Sequence, residues 1–102
     1  MKMEDMELSL LCEHATEVAA MLKLLANPQR LVLLCRLRES EASVTELTDL
    51  CGLSQSSVSQ HLAKMREDGL VATRREAQTV FYRIDDPNAA RLLALLKSIY
   101  CP

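Results

Sequence analysis

Six side chains could engage metals, oxidants or electrophiles: Cys12, Cys35, Cys51, Cys101, His14 and His61. No Cys-x-x-Cys occurs, and the closest cysteines, Cys35 and Cys51, stand sixteen positions apart, so a thiolate metal site would require the fold to bring distant residues together. His14 lies two residues from Cys12, a separation that points side chains to different faces of a helix, so the two share no ligand set and His14 reads as a surface residue. Cys35 falls inside the run Leu31-Val32-Leu33-Leu34-Cys35, where a free cysteine commonly fills space as a small apolar residue. Cys12, near an acidic start, and Cys51, before Gly52, read as packing or exposed positions without an assigned role. The expectation is therefore no metal and no cofactor.

A second group is polar. The segment Ser54-Gln55-Ser56-Ser57-Val58-Ser59-Gln60-His61-Leu62 places hydroxyls and amides wherever Val58 and Leu62 do not claim the core face. Such groups bind phosphates or base edges, and the free N–H groups of a first helical turn add an anion site. His61 belongs either to a phosphate contact or to a bond within the domain. Arg74, Arg75 and Gln78 follow on a β-prone stretch suited to backbone or minor-groove contact. The chain carries 12 basic and 14 acidic residues, net −2, yet the charge is segregated. Residues 1–25 hold two bases and five acids, whereas residues 54–84 hold five bases and three acids. A solvated polar helix followed by a cationic hairpin is the bland reading; agreement among helix order, caps, glycine placement and charge favours double-stranded DNA.

The elements that position these groups are written locally. Leu8, Leu11, Ala15, Val18, Leu22 and Leu25 alternate three- and four-residue spacing, the seam of a helix over 8–25 that packs on another helix. Asn27-Pro28 caps and opens a second helix to about Arg38, apolar on most sides through Leu31, Val32, Leu33, Leu34, Cys35 and Leu37 and hence expected to be buried. Ser43-Val44-Thr45-Glu46 is a capping box for a short helix ending near Gly52, and Ser54 caps a fourth helix that Gly69 stops, giving a helix-turn-helix over 43–68. LVATRR and TVFYRI, separated by Glu76-Ala77-Gln78, predict a hairpin over 70–84. Pro87 opens a last helix over 87–101 with Leu92, Leu93, Leu95, Leu96, Ile99 and Tyr100, more apolar surface than one copy covers.

Four helices, a hairpin and a fifth helix in one domain, 1–102, describe a mainly α winged helix-turn-helix. The first and last helices are the expected homodimer interface, since a chain of this size gains burial by association. The opening MKMEDMELSLLC carries acids where a secretory signal carries bases, and no apolar run approaches the roughly 20 residues of a membrane span. A cytoplasmic protein without a disulfide framework is expected. An enzyme is not: there is no Gly-rich phosphate loop, nucleophile elbow or carboxylate cluster, and a thiol oxidoreductase would offer Cys-x-x-Cys beside a βαβ unit.

SQSSVSQHLAKMREDGLV followed by TRREAQTVFYRI resembles the recognition helix and wing of the ArsR/SmtB repressors, and LLKLLANPQRLVLLCRL resembles their second-helix region. The resemblance spans nearly the whole chain and implies a homodimer that binds an inverted-repeat operator and leaves it when an inducer is sensed. Metal-sensing members carry Cys-x-Cys-x-x-Cys on the third helix; the matching positions here are Ser43, Thr45 and Thr48. Members with zinc between the final helices use Asp and His, but no histidine follows Asp85 and Asp86.

A second-helix cysteine with a terminal-helix cysteine, Cys35 and Cys101, together with EAQTVFYRI, resembles the SqrR/BigR/HlyU branch. That branch implies a dithiol sensor of persulfides and other reactive sulfur, in which a polysulfide bridge weakens operator binding. A direct disulfide requires Cα atoms within about 7 Å, so thiols held farther apart would accept inserted sulfur yet resist simple oxidation. The alternatives are an arsenite- or metal-responsive repressor, an anti-silencing activator, and a protein-binding winged helix.

Overall fold

The computed structural model describes residues 3–102. Helix α1, Met3–Leu25, begins before the predicted Leu8, and the chain then turns by 94° into α2, Pro28–Glu39. Asn27 makes that corner: its backbone is extended and its Oδ1 accepts from the N–H groups of Gln29 at 3.0 Å and Arg30 at 3.1 Å. Arg30 Nη1 donates to the Leu24 carbonyl at 3.3 Å, placing a cation at the negative end of α1.

A strand the sequence reading did not include, β1 (Ala42–Ser43), precedes α3, Val44–Cys51. Ser43 serves both. It ends the strand and caps the helix, its Oγ accepting from Glu46 N–H at 3.2 Å while Glu46 Oε1 accepts from Ser43 N–H at 3.1 Å. Gly52 ends α3 at φ +67°, and Ser54 opens α4, Gln55–Glu67.

The stop of α4 is a Schellman motif: Gly69, at φ +80°, donates to Arg66 at 3.1 Å, and Leu70 donates to Met65 at 2.9 Å. Leu70 and Met65 are both buried, supplying the apolar contact that accompanies this cap. Strands β2, Val71–Glu76, and β3, Thr79–Ile84, pair antiparallel, and β1 adds to β3 through Ala42 opposite Tyr82, giving the order β1-β3-β2. Glu76 pairs with Thr79, so the hairpin loop is Ala77-Gln78 and Glu76 belongs to the strand. Asp86 caps α5, Pro87–Tyr100.

One core joins these elements: Leu33, Leu34 and Leu37 of α2, Leu47 of α3, Val58, Leu62 and Met65 of α4, Leu70 and Val71 after it, and Ala89 and Leu93 of α5. The predicted inward face of α4 is the observed one. The burial expected around α2 is corrected: Val32 is 48% exposed and Cys35 is exposed, because only one face of α2 meets the core and the other forms a groove with α5. Helix α1 joins the core only at its last turn through Leu25, with Met21 and Leu24 partly covered. Leu8, Leu11, Val18 and Leu22 on its predicted seam are exposed in the single chain, as are Leu95, Ile99 and Tyr100 of α5.

Candidate nucleic-acid interface and thiol groove

The solvent-facing stripe of α4 comprises Gln55, Ser56, Ser59 and Gln60, all exposed, opposite the buried Val58, Leu62 and Met65. This follows from the helical period, since the core takes every third or fourth position and leaves the polar ones outward. Ser54 and Ser57 shape the start of the helix: Ser54 Oγ accepts from Ser57 N–H at 3.1 Å and donates to Ser57 Oγ at 3.0 Å. A compact group of hydroxyls therefore lies at the positive end of the helix dipole, where an anion is favoured. His61 has a partner within the domain: its Nε2 lies 2.7 Å from Gln29 Oε1, tying α4 to the first turn of α2.

The two wing arginines differ. Arg74 Nε donates to both Glu41 oxygens at 2.9 and 2.8 Å, its Nη2 also meets Glu41, and its Nη1 donates to Glu76 at 3.0 Å. The guanidinium carbon lies 4.7 Å from the Phe81 ring centroid. The hydrogen bonds with Glu41 and Glu76 raise the arginine's proton affinity, and the Arg74 bond holds the Glu41 carboxyl below the ordinary carboxylate range. Arg74 thus braces β2 against the segment entering β1. Arg75 and Gln78 are exposed, Gln78 at the hairpin tip, and among the described residues Arg75 makes no ion pair.

Between α2 and α5 lies an open groove of about 540 Å³. Its walls are apolar, with Leu31, Val32, Leu50, Leu93 and Leu96 among them, and both Cys35 and Cys101 line it. The sequence reading thus paired two thiols that the fold brings into one cavity. Burial pushes the Cys35 thiol up, the neighbouring Cys101 adds to that, and Arg38 and Lys97 act against it. Cys12 is exposed on α1 and Cys51 is half-buried, its thiol also pushed up by burial; neither lines the groove. His14 is exposed and lies 3.5 Å from Glu17. Among the described residues no group of three or more His, Cys, Asp or Glu side chains is arranged to hold a metal ion.

The sequence description of bacterial regulatory proteins of the arsR family matches residues 27–73. The transcriptional activator HlyU of Vibrio cholerae is 44% identical over 101 residues, covering 99% of this chain and 89% of HlyU. A structure of reduced HlyU from that organism matches with a TM-score of 0.85 over 90% of this chain and 97% of its own. The transcriptional repressor BigR of Xylella fastidiosa matches with a TM-score of 0.84 and 44% identity over 100% of this chain and 99% of BigR. The chain belongs to the ArsR family.

It is accordingly a transcriptional regulator with a winged helix-turn-helix DNA-binding fold, not an enzyme. A homodimeric winged helix-turn-helix domain from Mycobacterium bovis shares this fold at 32% identity and a TM-score of 0.73, covering 87% of this chain and 82% of that one. No single described helix of the regulator is long and apolar enough to cross a membrane. Sequence reasoning missed Glu41, Gln29 and Leu50. The first two act through contacts 33 and 32 residues away in sequence, and Leu50, exposed near the end of α3, lines the groove with no local signal to mark it.

Proposed function

We propose that this regulator is a homodimeric, cytoplasmic repressor that binds an inverted-repeat operator and is released when Cys35 and Cys101 of one protomer are joined by a polysulfide bridge. The observation that carries the sensing claim is that the two cysteines, 66 positions apart in sequence, line one groove between α2 and α5. The exposed apolar residues of α1 and α5, and the homodimeric M. bovis relative, support association through those helices. For the DNA face, Gln55, Ser56, Ser59 and Gln60 are assigned to base edges, and Ser54 and Ser57 to a phosphate at the helix start. Arg75 and Gln78 take the flanking backbone or minor groove, while Arg74 and His61 hold the wing and recognition helix in position for them.

The chemistry needs no outside oxidant beyond the sulfane sulfur itself. A cysteine thiolate attacks the outer sulfur of R–S–SH, forming Cys–S–SH as the donor's S–S bond breaks and R–S⁻ departs, which takes up a proton. When both cysteines have received one sulfur, the persulfide of one attacks the inner sulfur of the other. That step forms Cys–S–S–S–Cys and expels hydrosulfide, with four sulfurs and two protons conserved. Bridging α2 to α5 ties one dimer helix to the core helix beside it, and changes with it the spacing of the two recognition helices.

The test treats reduced protein with a sulfane-sulfur donor and measures intact mass, the linked peptides and operator affinity. An intramolecular Cys35–Cys101 bridge with added sulfur and weakened operator binding are expected, and Cys35→Ser abolishes both. Unaltered affinity, or a full response from Cys35→Ser, overturns the proposal.

A further inference from the structure

The groove that holds the two thiols is apolar in its walls but not neutral at its edge. Four charged residues line it: Arg36, Arg38, Lys97 and Glu39. Arg36 is already engaged, its Nη1 donating to the Ser40 carbonyl at 2.9 Å and its Nη2 lying 3.8 Å from Glu46. Arg38 and Lys97 make no ion pair among the described residues, and each projects from a different wall, α2 and α5. Glu39 is the single opposing charge. Two cations and one carboxylate leave the rim of this open groove with a net positive charge, and clefts lined by one sign of charge concentrate ligands of the opposite sign.

We infer that Arg38 and Lys97 make this groove selective for sulfane-sulfur donors carrying a negatively charged group, against neutral or cationic donors of the same size and reactivity. The inference rests on the dithiol reading of the groove and narrows its substrate class. Arg38 and Lys97 both lower the proton affinity of Cys35 and Glu39 raises it, so all three rim charges lie within electrostatic reach of the reacting sulfur, two cations against one acid. During transfer the leaving R–S⁻ carries a further negative charge past the same two residues, so attraction acts on departure as well as approach. The apolar walls contact the short R chain without regard to its terminal charge, leaving the rim to discriminate.

The experiment uses full-length reduced protein and three persulfides differing in one terminal group, those of 3-mercaptopropionate, 2-mercaptoethanol and cysteamine. The rate of sulfur transfer to the protein is followed by intact mass in low and high salt and divided by each donor's rate with a small neutral thiol under the same conditions, which removes the difference in leaving-group acidity among the three donors. The expected order is carboxylate, then hydroxyl, then ammonium, with about five- to tenfold between the extremes at low ionic strength. The ratio falls toward one near 1 M salt, where the Debye length is about 3 Å. Arg38→Gln with Lys97→Gln removes the carboxylate donor's lead and, with Glu39 left at the rim, brings the ratio to one or below, a readout unaffected by any uniform slowing through the thiol's own ionisation. Equal rates for the three donors, or a lead for the ammonium donor, overturn the charge selectivity while leaving the bridge intact as a reading. Failure of all three donors to form any Cys35–Cys101 bridge overturns both.

Discussion

Glu41 has no cation beside it in sequence, yet its carboxylate is the main partner of Arg74, 33 residues away. Because that bond favours the charged form, the Glu41 pKa is lowered on folding. The ion pair is therefore fully formed above the ordinary carboxylate range and is lost only as pH falls through the depressed value. Carboxyl-carbon NMR across an acid titration should find Glu41 titrating below a free glutamate, and Arg74→Met should move it upward; an unmoved titration would remove Arg74 as the cause. Cys35 is shifted the other way, chiefly by burial. Its alkylation by iodoacetamide at pH 7 should be slower than that of a free thiol and should rise close to tenfold per pH unit, because the thiolate is the nucleophile. A rate equal to a free thiol at pH 7 would mean the groove leaves the sulfur fully hydrated.

At the scale of elements, legibility followed the range of the contact that sets each feature. The caps at Asn27, Ser43 and Ser54 bond within three residues, so sequence alone located the starts of α2, α3 and α4. Gly52 and Gly69 marked the stops for the same reason. Strand β1 was invisible because two residues carry no period and its pairing partner, Phe81-Tyr82, lies far along the chain. Helix α2 misled because apolar residues on most sides give no hint of which face the core will take, and so Cys35 was expected inside. Gly69 at φ +80° has nothing within 4 Å of an added Cβ, so Gly69→Ala should cost only backbone strain, about 1–2 kcal/mol in urea unfolding. Ala77 presents the opposite case: it holds φ +55° in the hairpin loop, and Ala77→Gly should stabilise by about 0.5–1 kcal/mol, the strain relieved exceeding the entropy lost. A loss of stability on that change would place the loop's preference in the side chain.

For the whole molecule, the extents of 57 × 30 × 21 Å reflect a long α1 that leaves the core after its last turn. Its Leu11, at 55% exposed, and Ile99 of α5, at 57%, lie outside the core of the folded single chain. Glutamate at either position therefore removes no core contact, and only an assembly that covers these residues would be damaged by it. Two recognition helices on one operator gain from being linked, with the second contact made at high effective concentration, and avidity of this kind is worth about 10²–10⁴ in affinity. Leu11→Glu and Ile99→Glu should each sediment as monomers with an unchanged circular dichroism spectrum while operator affinity falls by about 100-fold or more. The slope of log affinity against log salt should fall to about half, because one protomer's phosphate contacts are lost along with its partner. Dimers of unchanged affinity in both variants would rule out α1 and α5 as the dimer interface and require another surface to set the spacing of the recognition helices.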